Sequence, residues 1–340
     1  MNAEDKKVAP GMACVALCRG SERASNLRSA LEIVIDQLDW PAYQRVLIKP
    51  NLAATVNPCA ITHPEALKTV LQAVRQRYGG DLVVAEGSAE ESTLSAAIAL
   101  GYDKVIAHYG ARLLDLNADQ VDTAKIYNAQ GRSLAVRLAR SVVQSDCRIS
   151  LAVPKTHDTV LVTLGIKNMI MGSLVDRRQV GGNGRLAWRE RLVQIMLGHG
   201  KSWRSDKQAM HQGISMINLN LATLADLVWP RLSILDGFVA MEGNGPKRGT
   251  AVPWGIAMAG IDPLAVDSLA AELMGFPPHE VGYLHYCAKR GLGCIERSKM
   301  EIMGNVKPDK VKRIFVPHVS HAAQRRWPDA RAEALLSRRH

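Results

Sequence analysis

The sequence predicts an α/β protein, with a mostly parallel sheet flanked by helices in a single elaborated domain that carries a basic excursion. Short apolar runs alternate with longer amphipathic segments through the first half of the 340 residues, a pattern typical of βαβ units. Hydrophobic residues make up 47% and charged residues 22%, which fits an ordinary globular chain and excludes a disordered or fibrous one. No linker rich in Pro, Gly or Ser divides the chain, so one domain is favoured over two.

The periodicity of the apolar residues places the individual elements. The predicted strands cover residues 13–17, 46–48, 82–85, 148–153, 232–235 and 254–259. The predicted helices cover residues 26–38, 62–74, 92–100, 222–228 and 263–274. Thr62 and Glu65 have the spacing of a capping box, in which each side chain satisfies the other residue's exposed amide, and Gly101 ends the third helix.

The basic excess lies in two segments. Lys and Arg outnumber Asp and Glu by 43 to 32, a net charge of +11. Residues 176–213 hold eight basic and three acidic side chains and residues 305–340 hold nine and three, so the rest of the chain is neutral. We therefore expect an α/β domain over residues 12–303, whose excursion 176–213 contains a helix near 186–197. A basic C-terminal extension follows over residues 304–340.

The cysteines and the apolar runs predict a cytoplasmic protein. None of the six cysteines has the CxxC spacing of a metal motif, and Cys14 and Cys18 would share one face of a buried strand. The apolar stretch 11–17 is followed by Cys18 and Arg19 instead of a small-residue cleavage site, and no run approaches the ~18 apolar residues of a membrane span. We expect reduced thiols, no membrane partner and no ferredoxin-type cysteine motif.

Polar side chains follow the ends of the predicted strands. Because ligands of open α/β sheets bind beyond the carboxyl ends of the strands, these residues are candidates for one cleft. The ligand-binding candidates are Lys49, Asn51, Glu86, Ser88, Lys167, Asn168, Gly243 and Gly245. The lysines would hold a small carboxylate- or phosphate-bearing molecule, and a helix that begins near Gly165 would favour the same negative charge.

Three further residues of this cleft, Lys155, His157 and Glu242, are candidates for catalysis. His157 would act as general acid or base, and Glu242 would do so if burial raises its pKa. The candidate ligands of a divalent metal ion are Asp236, Asp262 and Asp267, which offer hard oxygen donors. The pattern fixes neither the reaction type nor any other cofactor.

Each motif also has a purely structural interpretation. Lys49 before a proline is typical of a surface turn, and Ser88 or Ser92 is typical of a helix N-cap. His157 beside an aspartate is typical of a paired loop histidine, and residues 243–246 are typical of a tight turn. The shared position of the motifs at strand ends favours the cleft.

Taken together, these segments resemble a known family, the domain-of-unknown-function family 362. The matching stretches are 46–51 (VLIKPN), 83–88 (VVAEGS), 153–157 (VPKTH), 165–168 (GIKN) with Gly172, 234–237 (ILDG), 241–246 (MEGNGP) and 259–267 (AGIDPLAVD). The resemblance runs from about residue 12 to 293. It implies an α/β fold and an association with iron–sulfur clusters, which many members of this poorly characterised family have. The family is also distantly similar, at the level of the fold, to the amino-terminal part of nickel-pincer lactate racemases.

Two other functions compete with a small-anion cleft. The resemblance implies an iron–sulfur-associated redox accessory protein, although the ferredoxin module of many members is absent from this sequence. A nucleic-acid-binding protein would use the aromatic and basic residues of the excursion, with the alternative that the excursion is a solvated basic loop covering the cleft. The residues concerned are Trp188 and Trp203 for stacking and Arg185, Arg189, Arg191 and Arg204 for phosphates. Recognised nucleic-acid motifs are absent, so this function is the least favoured.

Overall fold

A central ten-stranded sheet organises the described part of the chain. The computed structural model describes residues 11–52, 57–89, 92–176 and 205–337. The strands are β1 (Ala13–Arg19), β2 (Arg45–Lys49), β3 (Asp81–Glu86), β4 (Arg112–Asp115), β5 (Val121–Tyr127), β6 (Ser133–Ala139), β7 (Cys147–Ala152), β8 (Lys155–Thr156), β9 (Val162–Thr163), β10 (Leu232–Glu242), β11 (Thr250–Gly260) and β12 (Met300–Met303). The helices are α1 (Arg23–Val34), α2 (Pro64–Arg75), α3 (Thr93–Ala99), α4 (Tyr102–His108), α5 (Arg140–Val143), α6 (Gly165–Ser173), α7 (Asp206–Ala209), α8 (Ile214–Val228), α9 (Pro263–Leu273), α10 (Gly282–Lys289), α11 (His321–Gln324) and α12 (Ala330–Leu336).

The main path of the sheet is mostly parallel, as the sequence predicted. Its strand order is β12–β1–β11–β10–β7–β2–β3–β4, and only β11 runs against its neighbours within this path of the described chain. The short strands β8 and β9 extend the sheet beside the far end of β10. β5 and β6 form a separate antiparallel hairpin. The carboxyl ends of β2, β3, β7 and β10 therefore lie along one edge of the sheet.

Alternate residues of the strands enter two apolar cores, one on each face of the sheet. In β2, Leu47 packs into the core that contains α6, α8 and α9, whereas Val46 and Ile48 pack against α1 and α2. Burial on both faces explains why the predicted strands read as continuous apolar runs without a polar alternation. The chain is thus a single α/β domain with helices on both sides of the sheet.

The capping box predicted for α2 is wrong. The helix begins at Pro64, and the Nδ1 atom of His63 accepts the hydrogen bond from the amide of Glu65, at 3.2 Å. Thr62 is instead buried, where its hydroxyl donates to the Leu151 carbonyl at 3.0 Å and accepts from the amide of Asn51 at 2.9 Å. The threonine therefore fixes the loop that leaves β2 and does not cap the helix.

The described part of the predicted C-terminal extension packs on the domain. Phe315 and Trp327 are buried in the core of the face that carries α8 and α9. The Trp327 indole donates to the Glu280 carbonyl at 2.6 Å, and the Trp254 indole donates to the Val311 carbonyl at 2.7 Å. The predicted helix near 186–197 lies outside the described residues.

Helix α8 is strongly apolar, yet it contains two buried asparagines. Asn220 accepts from the amide of Tyr127 at 2.8 Å and donates to the carbonyl of the same residue at 2.9 Å, so it pairs with the backbone of β5. Asn218 accepts from the amide of Tyr283 at 2.8 Å, at the start of α10. These amides tie α8 to its neighbours. Among the described helices, none has both the length and the apolar character needed to cross a bilayer.

Replacing Asn220 with leucine tests this role. Two buried backbone groups of Tyr127 would lose their partner, so we expect Asn220→Leu to lower the free energy of unfolding by about 2–4 kcal/mol. Thr223→Ala is the matched control, because its hydroxyl bonds only the Leu219 carbonyl of its own helix, and it should cost no more than about 0.5 kcal/mol. Urea denaturation followed by circular dichroism measures both. Equal losses would contradict the role given to Asn220.

Candidate functional site

A cavity of about 420 Å³ lies at the carboxyl edge of the sheet, beyond β2, β3 and β7. Its walls include most of the residues that the strand-end pattern singled out. The sequence-predicted residues that line it are Lys49, Asn51, Glu86, Lys155, His157, Lys167 and Asn168. Residues separated by more than a hundred positions in the sequence thus meet in one place.

The other predicted site residues lie outside the cavity wall. Ser88 is buried next to Gly87, and its carbonyl accepts from Asn117. Glu242 accepts from the amide of Val316 at 3.1 Å, and the amide of Gly243 donates to the Val316 carbonyl at 2.7 Å. A Cβ atom at Gly245 would lie 2.0 Å from the Thr156 carbonyl oxygen, so this glycine permits a close backbone approach. The next two residues, 246 and 247, do reach the cavity.

The three aspartates predicted as metal ligands have separate structural partners. Asp236 pairs with Arg23 at 3.0 Å. Asp262 caps its own helix α9 through the amide of Ala265, at 3.0 Å. Asp267 accepts from the first two amides of α6, and burial raises its pKa to about 7. Within the described residues, no group of three or more His, Cys, Asp or Glu side chains is arranged to hold a metal ion.

The six cysteines do not form the ligand set of an iron–sulfur cluster. Cys14 and Cys18 lie in β1, Cys147 lies in β7 and Cys287 lies in α10, and all four are buried free thiols. Burial raises the pKa of each of these thiols, which disfavours the thiolate that a metal requires.

Lys49 and Glu86 form a buried ion pair at the floor of the cavity. The Lys49 Nζ atom lies 2.6 Å from Glu86 Oε2 and 3.3 Å from Asn168 Oδ1. Glu86 also accepts from the amide of Gly87, at 2.8 Å. A Cβ atom at Gly172 would lie 1.8 Å from Lys49 Cε, so only glycine lets α6 approach this pair. Burial lowers the pKa of Lys49, and the charge of Glu86 opposes that effect.

Lys155 faces the cavity, and within the described part of the chain it has no ionic partner. Its side chain is 1% exposed. The Nζ atom donates to the Ala60 carbonyl at 2.7 Å and to Asn51 Oδ1 at 3.4 Å, and among the described residues no carboxylate lies within 4.0 Å. Burial, with the positive charge of Lys167 as the second cause, lowers the pKa of Lys155 to about 7. The group is therefore close to its point of half-protonation at neutral pH.

Lys167 and His157 form a hydrogen-bonded pair in the same wall. The Lys167 Nζ atom lies 3.0 Å from His157 Nε2, and His157 Nδ1 lies 2.9 Å from a carboxylate oxygen of Asp158. Burial, followed by the charge of Lys167, lowers the pKa of His157 to about 3, and burial lowers the pKa of Lys167 to about 8. At neutral pH the imidazole is uncharged and Lys167 is mostly protonated. Proton transfer near neutral pH is thus better suited to Lys167 than to the predicted His157.

Two residues of the cavity wall, Lys207 and Thr163, were not predicted from the sequence. Lys207, in α7, donates to the carbonyls of Met171, Gly172 and Leu174 at the carboxyl end of α6, and burial lowers its pKa to about 8. It belongs to the described part of the basic excursion, residues 176–213. Thr163 also lines the cavity, and its buried hydroxyl has no hydrogen-bond partner in the described structure.

The basic and aromatic residues proposed for nucleic-acid binding lie outside the described residues. These are Arg185, Trp188, Arg189, Arg191, Trp203 and Arg204. Of the excursion, residues 205, 207, 208 and 211 line the cavity. The described part of the excursion therefore belongs to the wall of the candidate site.

The C-terminal segment holds the loop that carries His157. Gln324, which is 1% exposed, donates to the His157 carbonyl at 2.7 Å and accepts from the amide of Leu161. Ser320 donates to the Asp158 carbonyl at 2.8 Å. Leu161 has a positive φ of 65°, a conformation that costs of order 1–3 kcal/mol and needs such support. Gln324 and Ser320 are therefore positioning residues for this wall of the cavity.

We expect Glu86→Gln to lower the free energy of unfolding by about 3–5 kcal/mol, because it leaves the Lys49 charge buried without its counter-ion. Glu333→Gln is the control: Glu333 lies at the same 2.6 Å from Lys289, but both side chains are more than a third exposed. An exposed pair contributes no more than about 1 kcal/mol. Chemical denaturation compares the two. A loss at Glu86 as small as that at Glu333 would contradict the structural role of the pair.

We expect Gln324→Ala to destabilise the protein by about 1–3 kcal/mol, because the Leu161 amide and the His157 carbonyl would lose a buried partner. Gln72→Ala, on an exposed position of α2, should change stability by no more than about 0.5 kcal/mol. Hydrogen exchange gives the specific readout. The two proteins are compared under conditions that give them the same free energy of global unfolding. Under those conditions the amides of residues 157–161 should exchange faster in Gln324→Ala than in the parent protein. Unchanged exchange there would rule out the positioning role.

The chain is similar to known proteins in sequence and, more distantly, in structure. The curated relative "Thylakoid-associated protein sll1697" from Synechocystis sp. is 27% identical over 276 residues, which are 78% of this chain and 75% of that protein. The lactate racemase apoprotein from Thermoanaerobacterium thermosaccharolyticum superimposes with a TM-score of 0.40 and 12% identity, over 75% of this chain and 56% of the racemase chain. The model of the family described as "Domain of unknown function (DUF362)" matches residues 46–272, about two thirds of the sequence. The chain belongs to the DUF362 family.

Proposed function

We propose that the cavity binds, or converts, a small molecule that carries a carboxylate or phosphate group. The observation that carries this proposal is an excess of positive charge, most of it buried, around a partly open cavity. The basic residues of the wall are Lys49, Lys155, Lys167, Lys207 and Lys247, against the carboxylates Glu86 and Asp158. A volume of about 420 Å³ falls in the range of small-molecule sites.

The lysines differ in whether the protein already supplies a partner for their positive charge. Lys49 is paired with Glu86, and Lys207 gives its three N–H groups to backbone carbonyls. Among the described residues, Lys167 bonds only an uncharged imidazole, and Lys155 bonds only a carbonyl and an amide oxygen. Lys167, whose pKa is the higher of the two, therefore supplies the charge that an anionic ligand would neutralise. Thr163 would add a hydroxyl group to the same contact.

Two simple anions test the proposal by isothermal titration calorimetry. Oxalate represents a carboxylate ligand and sulfate represents a phosphate ligand. Loss of a charge-assisted hydrogen bond weakens binding by about 1.5–3 kcal/mol, so Lys167→Met should reduce the affinity for the preferred anion by roughly tenfold or more. Lys68→Met, at an exposed position of α2, should leave the affinity unchanged. Absence of saturable binding of both anions to the parent protein would overturn the proposal.

The affinity should also fall as the pH rises. Burial lowers the pKa of Lys167 to about 8, so the ammonium that binds the anion is fully present below that pH and is lost above it. We expect the affinity for oxalate at pH 9 to be about tenfold lower than at pH 6.5. Oxalate itself keeps its charge across this range. An affinity that does not change between these two pH values would contradict a role for Lys167.

A further inference from the structure

We propose that Lys155 is a nucleophile that forms an imine with the carbonyl group of an anionic aldehyde or ketone. The inference rests on the proposed anion site and names its substrate class. Lys155 lies in the wall of the cavity, and its Nζ atom has hydrogen-bond acceptors at Ala60 and Asn51. An uncharged amine has two N–H groups and one lone pair. The two acceptors match the two N–H groups, which leaves the lone pair for a ligand.

The surroundings favour the uncharged amine. No carboxylate of the described residues is paired with Lys155. Burial and the positive charges of Lys167, Lys49 and Lys247 lower its pKa, and the more distant charge of Glu86 only partly opposes them. Burial and neighbouring cations together produce an amine that is nucleophilic at neutral pH. Lys167 differs because the nearby carboxylate of Asp158 favours its protonated form. As the pH rises, Lys155 therefore loses its proton before Lys167 does.

The two lysines supply both halves of imine formation. The lone pair of Lys155 Nζ attacks the carbonyl carbon, and the carbonyl oxygen takes a proton from the Lys167 ammonium, which gives a carbinolamine. Lys167 then regains a proton from Nζ and passes it to the hydroxyl group, which leaves as water while the C=N bond forms. The water that leaves carries the carbonyl oxygen, the first proton given by Lys167 and one proton from Nζ, so the immediate product is a protonated imine beside an uncharged Lys167. Transfer of the remaining Nζ proton to Lys167 gives the neutral imine and restores the ammonium. His157 accepts a hydrogen bond from Lys167 and holds it in place.

Reductive trapping of the unmodified protein tests the inference. The protein is treated at pH 7.5 with glyoxylate and sodium cyanoborohydride, and the modified lysines are mapped by peptide mass spectrometry. At this pH an amine with a pKa near 7 is about three-quarters uncharged, whereas an ordinary lysine is only about 0.1% uncharged. We expect Lys155 to be modified at least about tenfold faster than the exposed Lys68. Acetaldehyde, which has no carboxylate, should modify Lys155 more slowly than glyoxylate.

The outcomes separate this inference from the proposed function. If oxalate binds but glyoxylate modifies Lys155 no faster than Lys68, the nucleophile is overturned and the anion site stands. If neither oxalate nor sulfate binds and Lys155 is not modified, the anion site and the nucleophilic role of Lys155 are both overturned. Equal rates with acetaldehyde and glyoxylate would overturn the assignment to an anionic carbonyl compound. Lys167→Met retains the nucleophile, and it should slow the modification of Lys155 without affecting Lys68.

Discussion

The buried ion pair between Lys49 and Glu86 is the interaction on which the candidate site depends. It joins the ends of two neighbouring parallel strands, β2 and β3, and Asn168 of α6 bonds the same ammonium. Neither charge would be tolerated alone in this apolar interior, because each would lose its hydration without a counter-ion. Gly172 allows the helix to reach the pair. The floor of the cavity is therefore neutral and closely packed, and the remaining lysines determine its charge.

Local patterns were enough to locate this edge of the sheet. The apolar runs placed β2, β3 and β7 within a residue or two of their observed ends, because strands buried on both faces must be apolar throughout. Parallel strands end on the same side of a sheet, so Lys49, Glu86 and His157 could be grouped without knowing any long-range contact. This inference requires only the sequence of each strand and of the loop that follows it.

Residues whose roles depend on distant segments could not be assigned in the same way. β10 is 11 residues long, and Glu242 at its end lies outside the cavity wall, where it accepts from the amide of Val316. Asp267 has the chemistry of a metal ligand, but its oxygens are occupied by the amides of α6. Lys207 and Gln324 carry no local signal, because their partners lie on elements that are remote in sequence. The hairpin β5–β6 was not predicted either, and it is held to α8 by Asn220, which lies 93 residues from its partner Tyr127.

The contact of Gln324 with residues 157 and 161 also constrains the order in which the molecule assembles. The bond joins positions that are 163 residues apart, and contacts of such separation form late because the loop between them must close first. The sheet and its ion pair can form from earlier parts of the chain, whereas the wall that carries His157 is completed only when α11 docks. A nascent chain that already has its sheet would therefore still lack both the last part of its core and a finished cavity.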